Sequence, residues 1–379
     1  MRIALLCPIF PPAPGGLADH SARWAEAMSA HLGHEIWVIT GPGASEPEVP
    51  GVYLAPPFED WGVLGAQKLL QALVNLKPDL VVVQYVPHLY HRRGFSLGFA
   101  CSILRLMKAG VPVITLAHEL YFARHEAWRH QPAGLVQRAA LWPLFTASRR
   151  VIFSVPQRER RMRTVFPQFS SRFVTLPVGS TLPVATESEG RAWRQERGIS
   201  PHELVLLFQG GAHPSKELVS VQRSIDILCD RGIPARLVSI GGCQFEGPAC
   251  LSLGHVSQGE AQRILRAADM ALAPFSDGAS GRRGSLLNAL SAGLPTVSTR
   301  GSDTELSWFP PDVIELVSAG EPALFAEAVL ALAQSAVHRQ ALGHSAKVWF
   351  DERFSWPVLA AAWEEIFISA CPQAFSSPP

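Results

Sequence analysis

Cysteine is scarce in this 379-residue sequence, and long apolar runs are lacking. The six cysteines are scattered, with no Cys-x-x-Cys pair and no zinc-like spacing, which argues against a zinc site or a disulfide framework. We therefore expect buried or free thiols in a reducing, cytoplasmic compartment. No apolar stretch reaches the roughly 18 residues that suggest a membrane-spanning helix. The apolar N-terminus is interrupted by several prolines from Pro8 onward, so we interpret it as a first strand rather than a signal peptide.

Metal-binding motifs and an excess of charge are also lacking. The sequence contains neither His-Glu-x-x-His nor Asp-x-Asp, two common arrangements of divalent-metal ligands. We therefore predict no metal site. The formal net charge is only +1, which gives no support to nucleic-acid binding.

Short apolar runs alternate with helical patterns along both halves of the chain. The runs cover residues 2–7, 35–40, 80–85, 111–116, 151–154 and 173–176, then 204–209, 236–240, 270–275, 295–298 and 313–316. Mostly continuous runs of this length are typical of parallel strands covered on both faces. Two such series predict an α/β fold of two doubly wound, Rossmann-like domains facing across a cleft. We expect a first domain at 1–182, a polar linker at 183–200 and a second domain at 201–355.

A glycine-rich loop with two arginines precedes a helix in the second half. Small residues at 276–281 follow a strand, and a helical pattern at 285–292 ends at a Gly-Leu-Pro sequence. Backbone N–H groups at the helix start favour an anion, and guanidinium groups match phosphate oxygens. The loop therefore predicts a diphosphate site, although a solvated arginine pair is the alternative. The residues assigned to this site are Ser280, Gly281, Arg282, Arg283, Gly284 and Ser285.

Two glycine pairs follow strands at corresponding positions of the two halves. Gly15-Gly16 leads from the first strand into a helix, and Gly210-Gly211 follows the strand at 204–209. Glycine lets a ligand approach the backbone closely, although a plain turn is the alternative. Lys216 lies near the next helix start, where it is either a solvated residue or a cation for a diphosphate.

Polar residues end two apolar strands of the first half. Gln84, Tyr85 and His88 follow one strand, and His118 and Glu119 follow the next. Ligands of doubly wound folds bind at the carboxyl ends of strands, where a histidine can bond a hydroxyl or relay a proton. A structurally satisfied histidine is the alternative.

Nearly the whole chain resembles the GT-B-fold retaining glycosyltransferases of family 4, the glycogen-synthase-like group. The resemblance is carried by PxxPGGLADH and its helix, GHEIWVITG, the strand-ending His118, FQGGAHPSKE, SLGHVSQGEAQRILRAADMALAPF, ALSAGLPTVSTRGSDTE and FSWPVLAAAWEEIF. These enzymes move a sugar from a nucleotide donor to an acceptor. The resemblance also implies that a final helix, here 356–370, crosses back to the first domain.

The resemblance assigns roles to individual residues. Gly16 is expected by the donor phosphates and the acceptor, and His118 beside the donor sugar, with its ring and carbonyl lining the reaction centre. Lys216 is expected on the diphosphate, and His255-Val256 on the base through backbone bonds. We count His118, Lys216 and the two arginines of the loop as catalytic. The acceptor-binding candidates are Gln84, Tyr85, His88 and Glu119.

The sequence departs from the family pattern at three positions. Gly211 replaces a usual arginine, and two usual glutamates eight positions apart are replaced by Ser280 and Asn288. We expect the paired arginines to supply the missing positive charge. We expect the Asn288 amide to bind a ribose hydroxyl in place of a carboxylate.

The resemblance predicts a retaining, metal-independent glycosyltransferase of the hexosyltransferase type that forms an α-linkage. A nucleotide sugar is then the co-substrate, and no cofactor is expected. The acceptor is a glycan, a lipid-linked molecule or a small molecule. The alternatives are a non-catalytic scaffold that binds nucleotide sugars and a nucleotide-sugar 2-epimerase.

A basic run in the first half suggests a peripheral contact with anionic lipid. Arg158, Arg160, Arg161 and Arg163 lie close together, and apolar residues such as Trp142 precede them. Such a surface can bind the inner face of a membrane. A solvated basic face is the alternative.

Overall fold

The computed structural model describes residues 1–62, 64–121 and 131–375, with the backbone alone at 374 and 375. The chain forms two compact units, one made of Met1–Pro177 with Leu359–Pro379 and the other of Val178–Val358. Each unit contains one sheet of parallel strands.

The first sheet has the strand order β3-β2-β1-β4-β5-β6-β7 and the second has the order β10-β9-β8-β11-β12-β13. The strands of the first unit are β1 (Arg2–Leu6), β2 (Glu35–Ile39), β3 (Val52–Leu54), β4 (Leu80–Tyr85), β5 (Val113–Ala117), β6 (Arg150–Phe153) and β7 (Phe173–Thr175). Those of the second unit are β8 (Leu204–Gln209), β9 (Ala235–Ile240), β10 (Cys250–Ser252), β11 (Met270–Ala273), β12 (Thr296–Arg300) and β13 (Glu315–Ser318).

Helices connect most of the successive strands in both units. The first unit contains α1 (Gly16–Leu32), α2 (Ala66–Leu76), α3 (Pro87–Tyr90), α4 (Leu97–Lys108), α5 (Gln131–Ala147), α6 (Pro156–Val165) and a 3-10 helix at Pro167–Arg172. The second contains α7 (Glu187–Glu196), α8 (Leu218–Asp230), α9 (Gln258–Ala267), α10 (Gly284–Ser291), α11 (Pro322–Gln334) and α12 (Ala336–Arg353). The chain continues with α13 (Trp356–Ala370) and α14 (Pro372–Phe375).

The predicted α/β architecture with two parallel sheets is confirmed, and each predicted apolar run overlaps an observed strand. Every residue of β4 is buried, as expected for a strand covered on both faces. Two strands, β3 and β10, were not predicted. Both have only three residues, both lie at a sheet edge and neither is fully buried, so they lack the long apolar run that marks the central strands.

Residues 183–200, expected to be a linker, instead contain α7, which packs into the second unit. A capping box starts this helix: the Thr186 side chain accepts from the Glu189 backbone N–H, and the Glu189 side chain accepts from the Thr186 N–H. The Trp193 side chain has no exposed surface, and its Nε1 donates to Glu260 Oε1 at 2.7 Å. The polar composition of this segment reflects the outer face of an amphipathic helix rather than a free connection.

The helix α13 changes unit along its length. From Leu359 onward its residues belong to the first unit, where Trp363 meets Trp24 of α1 edge-on at 5.2 Å between ring centroids. Phe367 packs against the same tryptophan at 6.3 Å. Two residues of α13 are thus built into the core around α1.

We predict that Trp193→Ala destabilises the second unit by about 3–5 kcal/mol, because it removes a wholly buried indole and leaves a cavity. Urea unfolding followed by circular dichroism measures the effect. The matched control is Trp142→Ala in the first unit, where the side chain is 55% exposed and a small change is expected. Equal midpoints for the two variants would show that α7 is not integral to the second unit.

Candidate functional site

In the first unit, His118 lies just beyond the carboxyl end of β5. Its Nε2 is 2.6 Å from Oε1 of Gln84 on β4. The ring of His20, on α1, meets the His118 ring edge-on with 5.2 Å between centroids, and Arg158 Nη1 donates to the His118 carbonyl oxygen at 3.4 Å. Three elements thus hold this histidine at a strand end, where the sequence predicted a reactive group.

The structure does not support direct acceptor contact by Gln84 or Tyr85, because neither side chain has exposed surface. The two residues are adjacent on a strand and point to opposite faces. Tyr85 points into the core and its hydroxyl is 2.8 Å from Ser96 Oγ; burial raises the pKa of Tyr85 to about 12. His88 and Glu119 are half-buried, and acceptor contact by these two stays a prediction.

Gly15 and Gly16 are exposed at the start of α1. Gly15 has φ +145°, a backbone conformation that favours glycine. A Cβ on Gly16 would meet nothing within 4 Å. The backbone at this helix start is therefore open to close approach, and its role in donor binding stays a prediction.

In the second unit, Lys216 is folded back over the end of β8. Its Nζ donates to the Gln209 carbonyl oxygen at 2.7 Å and lies 4.9 Å from the centre of the Phe208 ring. A Cβ on Gly210, which has φ +114°, would lie 1.8 Å from this Nζ. Glycine at 210 is thus required for the position of the lysine as well as for the turn.

Burial lowers the pKa of Lys216 from 10.5 to about 8, and the positive charge of Arg283 also lowers it. The nearby Cys243 opposes this shift. The ammonium group is therefore poised to lose its proton in a mildly alkaline solution unless an anion binds beside it.

A second glycine pair, Gly241-Gly242, follows β9 and lies against the first. A Cβ on Gly241 would be 2.7 Å from the Gly210 Cα, and one on Gly242 would be 3.4 Å from the exposed His255 ring. The Gly241 N–H donates to the Gly254 carbonyl at 2.6 Å. Glycine backbones after β8, β9 and β10 therefore stack side by side. His255 and Val256 were predicted as site residues from the sequence. Gly241-Gly242 were not, although a glycine pair directly after a predicted strand is a usable signal.

The paired arginines of the β11–α10 loop share one carboxylate. Arg282 and Arg283 each bind a different oxygen of Asp277, and Arg282 Nε lies 3.6 Å from Asp303 Oδ2. Burial alone would raise the pKa of Asp277, but the two arginine charges outweigh it and hold the pKa below its ordinary value. Asp277 was not predicted as a site residue, although an acid five and six positions before two arginines is a usable signal.

Arg283 joins this loop to the loop that carries Lys216. Its Nη1 donates to Ser215 Oγ at 3.0 Å, and its guanidinium lies 4.2 Å from the centre of the Phe275 ring. The backbone of Phe275 in turn pairs with that of Lys216 in an antiparallel bridge. The lysine and the arginine loop are therefore one local structure at the carboxyl edge of the sheet.

The helix α10 begins at Gly284, directly after this cluster. No side chain caps its N-terminus, and Gly284 and Ser285 are half-buried. Ser280 is 1% exposed, and its Oγ has no hydrogen-bond partner among the residues that the structure describes. The Gly281 carbonyl accepts from the Val178 N–H at 2.9 Å, so this glycine also ties the loop to the start of the second unit.

Asn288 was expected to bind a ribose hydroxyl. Its side chain is instead hydrogen-bonded to residues 180–182 of its own unit. Its Oδ1 accepts from the N–H groups of Thr181 and Leu182 at 2.8 and 3.2 Å and from Ser180 Oγ at 2.9 Å. Its Nδ2 is 3.2 Å from Thr181 Oγ1 and 3.4 Å from Gln209 Oε1. The side chain is 4% exposed. Asn288 thus connects residues 180–182 to α10 by hydrogen bonds. Contact between Asn288 and a ribose stays a prediction, and the geometry does not support it.

The four arginines of the basic run lie on α6, where Arg158 is half-buried and the other three are exposed. Arg163 binds Glu159 and donates to the carbonyls of Ser170 and Phe173 at 2.7 and 2.9 Å, and Arg158 reaches the His118 carbonyl. Two of the four arginines thus have roles inside the unit, and contact with anionic lipid stays a prediction.

Two absences apply to residues 1–62, 64–121 and 131–375. Within these ranges no group of three or more His, Cys, Asp or Glu side chains is arranged to hold a metal ion. Within the same ranges no helix combines the length and apolar character needed to cross a bilayer.

Solved structures of glycosyltransferases share this arrangement of two parallel sheets. The chain matches sucrose-phosphate synthase from Thermosynechococcus elongatus with a TM-score of 0.72, 15% identity and 100% coverage of both chains. It matches HepE from Anabaena in complex with UDP and glucose with a TM-score of 0.69 and 16% identity, over 96% of this chain and 98% of the other. The catalytic domain of starch synthase IV from Arabidopsis thaliana, bound to ADP and acarbose, gives a TM-score of 0.70 and 12% identity, over 98% and 99%. At these identities the likeness shows the fold, which is GT-B.

The class of protein follows from a family model that matches part of the sequence. Residues 14–179 match the family model described as Glycosyltransferase Family 4. No curated protein sequence matches the chain. The chain is therefore a glycosyltransferase of the GT-B fold that carries a Glycosyltransferase Family 4 domain.

We predict that Asn288→Leu destabilises the second unit by about 2–4 kcal/mol, because two backbone N–H groups and a hydroxyl lose their buried acceptor. Asn288→Asp retains an acceptor and should unfold closer to wild type. The measurements are the urea midpoint and the donor KM of each variant. A raised donor KM in Asn288→Leu with an unchanged midpoint would contradict the anchoring role and favour ribose binding.

Proposed function

We propose that this glycosyltransferase moves a sugar from a nucleoside-diphosphate donor to an acceptor, with retention of configuration and an α-linkage, and that it needs no metal. The observation that carries the proposal is the local structure formed by Lys216, Phe275 and Arg283 next to the first turn of α10. A buried cation and a helix N-terminus at the end of a parallel sheet favour a diphosphate.

The negative charge that develops on the leaving diphosphate supports a role for Lys216 in particular. When the sugar–phosphate bond breaks, the leaving diphosphate gains negative charge. A fixed ammonium group and aligned backbone N–H groups stabilise that charge without reorganisation. Arg282 and Arg283 are each paired with Asp277, so the pair brings less net charge to the site than two unpaired arginines would.

His118 is proposed beside the donor sugar, as the family resemblance implies. The ring at the end of β5 is held by Gln84 and His20, which supports a fixed orientation toward a sugar hydroxyl. In the retaining reaction the acceptor attacks from the face that the diphosphate leaves, and the departing anion takes up the acceptor proton. No protein base is needed in that scheme.

The nucleoside diphosphates named with two similar structures support this donor class: UDP in HepE and ADP in starch synthase IV. The acceptor is proposed to be a glycan, a lipid-linked molecule or a small sugar. A scaffold that binds nucleotide sugars without turnover is the second candidate, and the occupation of Asn288 by residues 180–182 favours it.

We expect the protein to release free nucleoside diphosphate from at least one member of a panel of UDP-, ADP- and GDP-sugars, and to do so in EDTA. Fixed cations and helix dipoles can neutralise the leaving group without a divalent ion. Nucleoside diphosphate is measured by chromatography with and without a mixture of sugar acceptors. Binding of a donor without release would indicate the scaffold. Loss of release in EDTA with recovery in magnesium would contradict metal independence.

The lowered pKa of Lys216 predicts that the donor kcat/KM declines at alkaline pH, which gives its pH profile an alkaline limb. The charged form of Lys216 is the form that stabilises a diphosphate, and it is lost as pH rises through about 8. The donor kcat/KM should therefore fall by about tenfold for each pH unit above that value. Lys216→Arg keeps a permanent charge and should abolish the limb, whereas Lys216→Met should lower kcat/KM by about 10–100-fold at pH 7. An identical limb in the arginine variant would assign the titration to another group.

A further inference from the structure

A cavity of about 710 Å³ lies against the edge of the first sheet, and none of the candidate site residues described above lines it. Its walls are formed by β2, by the segment 55–60 that follows β3, and by α2. Ligand cavities typically measure about 300–1,000 Å³ and combine apolar walls with a few polar groups. The size therefore suits a small molecule, or part of a longer chain, rather than a folded protein.

Trp37 on β2 provides a fixed aromatic wall of this cavity. Trp37 and Tyr53 of β3 are register partners, so their side chains share one face of the sheet. Their rings stack with 5.0 Å between centroids and 30° between planes. Trp37 Nε1 donates to Glu35 Oε1 at 2.7 Å. The indole is thus held at its nitrogen and covered by Tyr53, and surface that remains lines the cavity.

Exposed polar side chains accompany this aromatic wall. They are Glu59, Asp60, Lys68 and Asn75. The carboxylates accept hydrogen bonds, the ammonium group donates them, and the amide does both. Asp60 Oδ1 accepts from the Gly62 N–H at 3.1 Å, and Asn75 Oδ1 accepts from Gln71 Nε2 at 2.9 Å, which orients these two side chains. Two carboxylates and one ammonium group carry one net negative charge, which disfavours an anionic ligand such as a phosphate.

We propose that this cavity binds a sugar ring of a glycan. A pyranose ring has apolar C–H faces that pack on a flat aromatic side chain, and hydroxyl groups around its edge that both donate and accept hydrogen bonds. Trp37 matches the faces, and the mixed polar groups match the edge. A wholly apolar ligand would instead remove water from the carboxylates without replacing their hydrogen bonds, at a cost in free energy.

This glycan site goes beyond the proposed transfer of a sugar. Its residues take no part in the proposed departure of the diphosphate. Binding of a glycan can therefore be measured without a nucleotide sugar, and the result does not depend on whether the protein turns over a donor.

The α2 wall offers a way to fill the cavity without removing an aromatic or polar group. Ala72 lines the cavity and is half-buried, so a larger side chain there would occupy space that the methyl group leaves. Because the position is partly open to solvent, Ala72→Trp is expected to keep the fold.

A microarray of neutral and acidic oligosaccharides, probed with the labelled full chain, tests the proposal. We expect wild type to bind a subset of these glycans. The glycan with the strongest signal is then titrated as a free oligosaccharide by isothermal calorimetry. Trp37→Ala and Ala72→Trp should each weaken its binding by about tenfold or more, the first because the stacking surface is lost and the second because the cavity is filled.

Trp142→Ala is the matched control, because it removes an exposed tryptophan of the same unit that does not line the cavity, and it should bind as wild type does. Circular dichroism shows whether each variant is folded, and Ala72→Trp decides the question if Trp37→Ala unfolds. The proposal is overturned if wild type binds no glycan, or if binding is unchanged in folded Trp37→Ala or in Ala72→Trp. An equal loss of binding in Trp142→Ala would place the glycan elsewhere and overturn it too.

Discussion

The arginine loop of the second unit is built around one half-buried carboxylate. Asp277 receives Arg282 on one oxygen and Arg283 on the other, and its backbone carbonyl accepts from the Asp303 N–H at 2.8 Å. Replacing Asp277 would leave two largely buried guanidinium groups without their shared carboxylate, which is destabilising. Because Arg283 also covers Phe275 and bonds Ser215, the position of Lys216 depends on the same ion cluster.

This pairing bears on the diphosphate-binding role that the sequence suggests for the two arginines. Two neighbouring arginines in a glycine-rich loop suggest cations for a phosphate; here both are paired with Asp277, and phosphate contact by either stays a prediction. Lys216 is different: its Nζ bonds a backbone carbonyl and lies over an aromatic ring, contacts that leave its charge uncompensated by a carboxylate. An ammonium group in that environment has a lowered pKa and responds strongly to an incoming anion.

The sequence was sufficient for the fold class and for the residues that end the central strands, because buried parallel strands have continuous apolar runs. It was insufficient where tertiary contacts decide. The pairing of Asp277 with the arginines requires the turn at Gly278, which has φ +87° and packs so closely that a Cβ would lie 2.3 Å from the Gly301 N. No pattern in the sequence around Gly278 predicts this close contact with Gly301. Likewise, the helix at 187–196 was mistaken for a linker because its apolar anchor is a single tryptophan among charged residues.

Asn288 and Gln84 show a related limit. Polar residues near a predicted ligand site are natural candidates for ligand contact, yet both are buried and hydrogen-bonded within their own unit. Gln209, at the end of β8, also makes contacts within its own unit. Its backbone carbonyl accepts from Lys216 Nζ, and its side-chain oxygen lies 3.4 Å from Asn288 Nδ2. Each unit therefore has a glutamine at or next to the end of a central strand that contacts a candidate catalytic side chain, through its amide at 84 and through its backbone carbonyl at 209. The Gln84 amide meets the His118 ring without bringing a charge to it, whereas the contact with Lys216 uses a backbone carbonyl that any residue at 209 could supply.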